Sequence, residues 1–316
     1  MSLGFSVEAL IPRARGGGAL RMGLVRVPEA AWLTPEADLA ARSAVFAAEP
    51  DCVRVLPEAE TAAAEVAALL RDQAHAQCRH PGESRDAFAS TSAAGAEPEQ
   101  AMDPGFRRDD GVEGRAFPIA DALRTTAAAV WEDLCILTPD TATGQYRLTA
   151  AALAFPTDWH LHEKLGQALT PIHAPIHGYA EQLAAGVDHF FATLQPEAIF
   201  GRTNWFVVAS DTWRYLPQDD PATRFAHVTG ENAGETLFVR CERQTLRRLP
   251  QSGAVLFTIG IHVEPLARLS SATVARVAQS VAAIGTGEHE RRAAPFYADA
   301  LTRYAERRNR TPELAA

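Results

Sequence analysis

Apolar residues recur at helical spacing in several segments of the chain. In EAETAAAEVAALLRDQAHAQ (58–77), Val66, Leu69 and Leu70 stand three and four residues apart, which predicts a helix. A second helix is predicted at 118–131, and a pair is predicted at 266–307, broken near Gly285 and Gly287. A further helix is predicted at YAEQLAAGVDHFFATL (179–194), whose apolar stripe consists of Leu183, Val187, Phe190, Phe191 and Leu194.

Other segments are rich in β-branched and aromatic residues and predict strands. DLCIL (133–137) and YRLTAAALAF (146–155) predict two strands joined by a turn. AIFGRTNWFVVAS, TLFVRCERQTL and GAVLFTIGIHV predict three more between residues 198 and 263. Because these strands follow one another without regular crossover helices, they predict an antiparallel sheet in an α+β fold flanked by helices.

The pattern also predicts how the chain is divided. Residues 20–56 show only short extended pieces and turns, and residues 81–114 have few large apolar residues and no periodic face. We therefore predict an N-terminal region (1–130) with helices and a disordered insertion at 81–114, a core (131–265), and C-terminal helices (266–316) packed on that core.

Composition narrows the classes of function. The net charge of −9 argues against nucleic acid and anionic lipid as partners, and no apolar run approaches the ~18 residues of a membrane span. The N-terminus lacks the pattern of a secretory signal, so we expect a cytoplasmic protein. The four cysteines are widely spaced without a CxxC pair, which argues against structural zinc and iron–sulfur sites. Neither of the common nucleotide-binding loops, GxGxxG after a strand or GxxxxGK[ST], occurs.

One segment concentrates ionisable side chains. DWHLHEKLGQALTPIHAPIHGY (158–179) holds four of the ten histidines and Lys164, the only lysine beside 29 arginines. Three interpretations are open: a metal chelate, a cofactor ligand, or a solvated loop without chemistry. The single lysine is either chance or a site that needs a compact ammonium in place of a planar guanidinium.

The backbone expected of this segment argues against a chelate. Pro171 and Pro175 favour extended geometry, which would separate His173 and His177 by roughly 13 Å. His160 and His162 could share one face of a strand, but no carboxylate at short spacing completes a familiar ligand set. A haem needs only one axial histidine from the protein, because the porphyrin supplies the other four ligands, and so no ligand spacing need show.

Two strands place polar side chains on defined faces. Alternation puts Arg202 and Asn204 on one face of their strand and Thr203 and Trp205 on the other. In the next strand Arg240 and Glu242 share a face, and Arg243 faces away. These residues are either ion pairs on a solvated sheet face or the polar wall of a pocket that meets the carboxylates of a ligand.

The order of motifs resembles a known family. The chain reads RMGL and WL, then DLCIL, FPTDWHLHEKLGQALTPIHAPIHGY, RTNWF, RCERQTLRRLP and AVLFTIGIHVEPL, from residue 20 to about 270 without the 81–114 insertion. This order is similar to that of the α-subunit of the haem-dependent oxidative N-demethylases. The resemblance implies a PAS-like haem-binding core at 131–265. It also implies oxidation of a small secondary amine, such as dimethylamine, by O2 with release of formaldehyde.

The resemblance further implies the cofactors and the site residues. Haem b would bind here, whereas FMN, NADPH and a 2Fe-2S cluster would belong to a partner reductase subunit. The axial ligand of the iron would be His173, and the motif leaves His177 as the competing histidine. Lys164 would lie beside a haem propionate or at the pocket entrance. Arg202, Asn204 and Trp205 would line the pocket, and Arg240 and Glu242 would form its polar end. Either Glu242 or Asp211 would be the carboxylate that holds the amine. The rival hypothesis is a PAS-like binding module that holds haem or a small ligand without turnover.

Overall fold

The β-branched and aromatic runs form a single sheet. The computed structural model describes residues 3–11, 21–35, 38–78 and 119–310, and within them seven strands pair into one antiparallel sheet. The strands are β1 (Val25–Val27), β2 (Val53–Val55), β3 (Asp133–Pro139), β4 (Tyr146–Ala152), β5 (Ile199–Val208), β6 (Phe238–Arg248) and β7 (Val255–Pro265). Their order across the sheet is β1-β5-β6-β7-β3-β4-β2. The five strands predicted from the sequence are confirmed.

Helices fill the connections and the C-terminal segment. In chain order they are α1 (Val7–Leu10), α2 (Leu39–Ala48), α3 (Glu60–Cys78), α4 (Ile119–Ala128), α5 (Leu161–Lys164), α6 (Leu169–Ile172), α7 (Ala185–Thr193), α8 (Pro221–Phe225), α9 (Ala233–Thr236), α10 (Ser271–Ala282), α11 (Thr286–Arg291) and α12 (Ala298–Arg310). A π-helical turn, Ala180–Ala184, leads into α7. Side chains cap the longer helices: Asp38 accepts a hydrogen bond from the Ala41 backbone N–H of α2, and Ser270 accepts one from that of Thr273 of α10.

The prediction of two C-terminal helices is wrong in number. The break near Gly285 is confirmed, since α10 ends at Ala282 and α11 begins at residue 286. A second break follows α11, because Ala293 adopts a left-handed backbone (φ 54°) and a short 3-10 turn, Ala294–Phe296, with Pro295 in it, precedes α12. Three helices therefore occupy this segment within the described residues.

The sheet has two distinct faces, and its register assigns the side chains. Asn204 pairs with Glu242, and Trp205 pairs with Cys241. We call the face that carries Asn204 and Glu242 the front face, and the face that carries Trp205 and Cys241 the back face. On the front, Leu169 of α6 and Phe191 of α7 pack with Leu246. On the back, α1, α10 and α12 pack around a buried cluster that includes Val207, Val239, Cys241, Val274 and Leu301.

The N-terminal region supplies both edges of the sheet. β1 pairs with β5 through Val25 and Gly201, and β2 pairs with β4 through Val53 and Ala152. The division at residue 130 stays a prediction, and one sheet draws strands from either side of it. The predicted insertion at 81–114 lies outside the described residues. Among the described helices, none is both long enough and apolar enough to cross a membrane.

Candidate functional site

The histidine-rich segment forms helical turns in front of the sheet. α5 begins after His160, whose backbone N–H donates to Glu163 Oε2 at 3.2 Å. Gly166, at φ 82°, turns the chain towards α6, where Pro171 occupies the third helical position. The expected extended backbone is therefore wrong, because proline at the first turn of a helix gives up an N–H that has no helical partner.

His173 is held in one orientation. It follows α6, and its Nδ1 lies 2.7 Å from the Leu169 carbonyl oxygen, so Nδ1 carries the hydrogen and donates it. The imidazole stacks on Tyr179 with ring centroids 4.4 Å apart and planes at 14°. No residue in the described ranges hydrogen-bonds Nε2. Burial lowers the pKa of His173, and the charges of Lys164 and Arg202 lower it further, so the ring is neutral at pH 7 with a lone pair on Nε2.

His177 has a different environment. Its side chain is exposed, and no described residue forms a hydrogen bond, ion pair or ring contact with it. It lies four residues after His173, in the turn that ends at Gly178 (φ 78°). Two histidines of one motif thus differ in burial and in how they are fixed.

Lys164 ends α5 with a half-buried ammonium. Its Nζ lies 4.4 Å from the centroid of the Trp159 ring, and it has no hydrogen bond or ion pair within the described part of the chain. Burial lowers the pKa of Lys164, and the carboxylates of Glu242 and Glu163 oppose that shift. The ammonium therefore lies near the front face, and no described residue accepts a hydrogen bond from its N–H groups.

The front face of β5 and β6 carries a polar cluster. Glu242 is 7% exposed, and its Oε2 accepts hydrogen bonds from Asn204 Nδ2 at 3.2 Å and Gln244 Nε2 at 2.9 Å. Arg202 is half-buried, and its Nε is buried with no hydrogen-bond partner among the described residues. Burial lowers the pKa of Arg202, and the nearby Glu242 carboxylate opposes that shift. The unpartnered Nε of Arg202, together with the charges of Arg202 and Lys164 that both act on His173, suits an anionic ligand.

Arg240 is on the same face but its donors are occupied. It is fully buried, at 0% exposure, and Nε donates to Thr157 Oγ1 at 2.8 Å. Its two terminal nitrogens donate to the carbonyl oxygens of Thr212, Phe155, Pro156 and Trp213. Arg240 thus ties the segment before α5 to the segment after β5, and its guanidinium forms no hydrogen bond with Glu242.

Two further residues lie apart from this cluster. Trp205 is on the back face, as strand alternation indicates, and it packs with the C-terminal helices. Its pocket-lining position, which the resemblance implies, stays a prediction. Arg292, the residue after α11, approaches Trp205, with Nη1 donating to the Trp205 carbonyl oxygen at 2.5 Å. Asp211 is exposed in the segment after β5, where no described residue bonds to its carboxylate.

The structure adds residues that the sequence did not single out. Tyr179 stacks on His173, and burial raises the pKa of its phenol to about 12, which keeps it neutral. Gln244 is a second donor to Glu242. The hydrogen bonds to Glu288, with the nearby charge of Glu242, raise the pKa of Arg291, and the charge of Arg291 in turn helps to lower the pKa of Lys164. Alternation along β6 could have indicated Gln244, but the contacts of Tyr179 and Arg291 follow from tertiary packing.

The chain matches a known protein family over most of its length. The family described as haem-dependent oxidative N-demethylase, alpha subunit-like, matches residues 34–301. The matched range includes all of the front-face cluster, α5, α6 and both candidate histidines.

Proposed function

The chain belongs to the haem-dependent oxidative N-demethylase, alpha subunit-like family, and from that premise we propose that it binds haem b on the front face and oxidises a small secondary amine. With O2, two electrons and two protons, the methyl group leaves as formaldehyde and the nitrogen stays in a primary amine, with water as the other product. The electrons come from a partner reductase subunit that carries FMN and a 2Fe-2S cluster and takes them from NADPH. The cell compartment we propose is the cytoplasm.

The observation that carries this proposal is the state of His173. A haem-ligating imidazole presents the lone pair of one nitrogen while the other N–H donates to a fixed acceptor. His173 meets both conditions, since Nδ1 donates to the Leu169 carbonyl oxygen and Nε2 has no partner in the described ranges. Stacking on Tyr179 restricts rotation of the ring. His173 is therefore the residue that would bind the iron.

The positive charges near His173 fit the carboxylates of a haem. Haem carries two carboxylates, and Arg202 and Lys164 both have donors that no described residue satisfies. Guanidinium and ammonium groups form strong hydrogen bonds with carboxylates when water is excluded. These two residues would hold the propionates, with Arg291 adding positive charge at the same side.

The proposed binding of the amine substrate rests on Glu242. Asn204 and Gln244 fix its Oε2, and no hydrogen bond within the described residues occupies Oε1. An amine that enters as a cation can bind this oxygen and transfer its proton to it, because the nitrogen lone pair must be freed before the methyl group is oxidised. When bound, haem supplies the oxygen chemistry, and the protein orients the methyl group and excludes water. Arg240 positions the segments on which the site is built.

We also propose that the core is PAS-like. The support is an antiparallel sheet of five long strands in which β3 and β4 stand beside the last strand, β7, with short helices α5 and α6 on the front face. Residues 131–265 would form this core, with the N-terminal region and the C-terminal helices around it.

Spectroscopy combined with product detection tests the function. The purified full chain is expected to take up haem with a histidine-ligated spectrum and, with an electron donor, to release formaldehyde from secondary amines. Haem uptake without formaldehyde across a panel of small amines would favour the binding-module hypothesis. A chain that takes up no haem would overturn the proposal.

A further inference from the structure

A second cleft lies at the far side of β7 from the candidate site. It has a volume of about 450 Å³ and opens where β7 extends beyond its pairing with β3, which stops at Ile259. The residues of interest in its lining are Phe5, Asp38, Trp131, Trp213, His262 and Glu264. His262 pairs with Cys241 and Glu264 with Val239, so both are on the back face, opposite Glu242.

Unsatisfied polar atoms gather at this cleft. Within the described residues, five buried side-chain atoms have no hydrogen-bond partner, and two of them, His262 Nε2 and Glu264 Oε2, belong to residues of the lining. A third is Glu132 Oε2, on a side chain at 0% exposure. The other Glu132 oxygen accepts from the backbone N–H and the hydroxyl of Thr34, both at 2.7 Å, and Thr34 also lines the cleft. Buried polar atoms normally have partners, so this set indicates a missing one.

The nearby cations do not supply that partner. Arg243, the buried cation on this face, donates its hydrogen bonds to the carbonyl oxygens of Gly4, Ala31 and Trp32. Arg268 Nη1 lies 3.6 Å from Glu264 Oε2, which is beyond hydrogen-bond distance. The loose ion pair with Arg268 therefore leaves Glu264 Oε2 without a hydrogen bond, and Glu132 Oε2 also accepts none from the described residues.

The chemistry of the lining specifies the ligand. Carboxylates only accept hydrogen bonds when ionised, and an imidazole whose Nε2 carries no hydrogen accepts as well. Trp131 and Trp213 stand edge to face with ring centroids 4.9 Å apart, and Phe5 adds a third aromatic ring to the lining. Aromatic faces attract cations, and the indole N–H of Trp131 is already used by the Ile261 carbonyl oxygen. The complement of such a surface is a cation that donates hydrogen bonds.

We propose that this cleft binds an organic ammonium cation, with Glu264 and His262 accepting its N–H groups and the aromatic rings covering its carbon skeleton. His262 and Glu264 are on the opposite face of the sheet from Glu242, and the inference stands whether or not the front face binds haem.

A matched pair of ligands tests the proposal by calorimetry on the full chain at pH 7. Piperidinium chloride carries a positive charge and two N–H donors, whereas tetrahydropyran has the same ring size with neither. We expect tetrahydropyran not to bind, and we expect a piperidinium site to remain in Glu242→Gln, which removes the carboxylate proposed to hold the amine on the front face. Glu264→Gln should weaken piperidinium binding about tenfold, as expected for loss of a charge-assisted hydrogen bond. Glu235→Gln makes the same charge change at an exposed residue outside the cleft and should leave the affinity unchanged.

Three results would overturn the proposal: equal affinity for the two ring compounds, unchanged affinity in Glu264→Gln, or loss of binding in Glu242→Gln with Glu264→Gln unaffected. The last result would place the cation on the front face. Circular dichroism of each variant checks that its fold is intact, and Trp213→Leu provides a second variant of the lining.

Discussion

At the scale of single residues, His173 and His177 show how far a sequence motif can identify the ligand of a cofactor. The prolines of the segment favoured His173 as the better-fixed ligand, and the structure gives a different physical reason, namely the hydrogen bond to the Leu169 carbonyl oxygen and the stack on Tyr179. The proline argument failed on geometry because the segment is helical. The choice between His173 and His177 stays a prediction.

Substitution of the two histidines tests that choice. His173→Ala should empty the haem site or remove the histidine-ligated features of the spectrum, because Nε2 has no equivalent nearby. Added imidazole should restore part of the spectrum by filling the cavity that the side chain leaves. His177→Ala should keep both haem and spectrum, and the reverse pair of phenotypes would assign the iron to His177.

Lys164 gives a second prediction at this scale. Lys164→Arg should weaken haem binding although arginine serves at every other basic position, because a planar guanidinium is larger than the ammonium that lies over Trp159. Haem titration with thermal melting separates affinity from folding, and Lys164→Gln shows the effect of losing the charge altogether. Native affinity in Lys164→Arg would make the single lysine a matter of chance.

Strand alternation predicted faces well but could not predict contacts. It placed Arg240 and Glu242 together and Trp205 opposite Arg202, and the register confirms these faces. It could not show that Arg240 is bonded to four backbone carbonyl oxygens, since those belong to segments 27 to 85 residues away in the sequence. A position implied by resemblance, as for Trp205, carries no information about the face of a strand.

At the scale of elements, a buried ion pair joins α2 to β3. Arg42 and Asp133 are 0% and 1% exposed, with Arg42 Nη1 lying 2.8 Å from Asp133 Oδ1. Asp133 also accepts from the backbone N–H groups of Ala154 and Phe155, so the pair fixes the chain after β4. The sequence separation of 91 residues explains why no local pattern indicated it.

Breaking this pair should be costly. Arg42→Ala is expected to destabilise the protein by about 3–5 kcal/mol, because it leaves the Asp133 carboxylate buried without a counter-charge. The measurement is urea unfolding. Arg54→Ala removes an exposed partner of Asp51 and should cost less than about 1 kcal/mol, which provides the matched control. Equal losses in the two variants would contradict the role given to burial.

His262 on β7 predicts a pH dependence of stability. Burial, with the charge of Arg243, lowers its pKa from 6.5 to about 4, so the unfolded chain binds more protons than the native one between these values. Stability should therefore be retained above pH 6.5 and fall as the pH drops towards 4, by on the order of 2 kcal/mol from this group. His262→Gln should lose less stability than the natural chain between pH 7 and pH 5 in urea unfolding. Parallel pH profiles of the two proteins would show that other groups dominate.

At the scale of the whole molecule, the positions of the long strands could be predicted from the sequence, but the pairing of the short edge strands could not. The five long strands and the antiparallel class follow from local patterns, and both are confirmed. The short edge strands β1 and β2 contain only three residues each, too few for a periodic signal, and their partners lie about 100 residues or more further along the chain. The pairing of such edge strands depends on contacts within the folded sheet, which no local sequence pattern shows.

The segment at 81–114 provides a test at this scale. α3 and α4, which flank it in the sequence, pack against each other, and the deletion keeps residues 79–80 and 115–118 as the connection between them. Deletion of 81–114 should leave the melting temperature within a few degrees and haem uptake unchanged, because shortening a long connection changes closure entropy only slightly. A large loss of thermal stability would show that the segment contributes to the folded protein.

The origin of the sheet's two edges has a consequence for synthesis on the ribosome. Residues 25–27 leave the ribosome long before residues 199–201, with which they pair, and residues 53–55 likewise precede residues 150–152. At roughly 5–20 residues per second, the first strand is without its partner for about 10–35 seconds. During that time the N-terminal strands are open to chaperones and to neighbouring nascent chains, so the yield of this protein should depend on the rate of translation over the intervening codons.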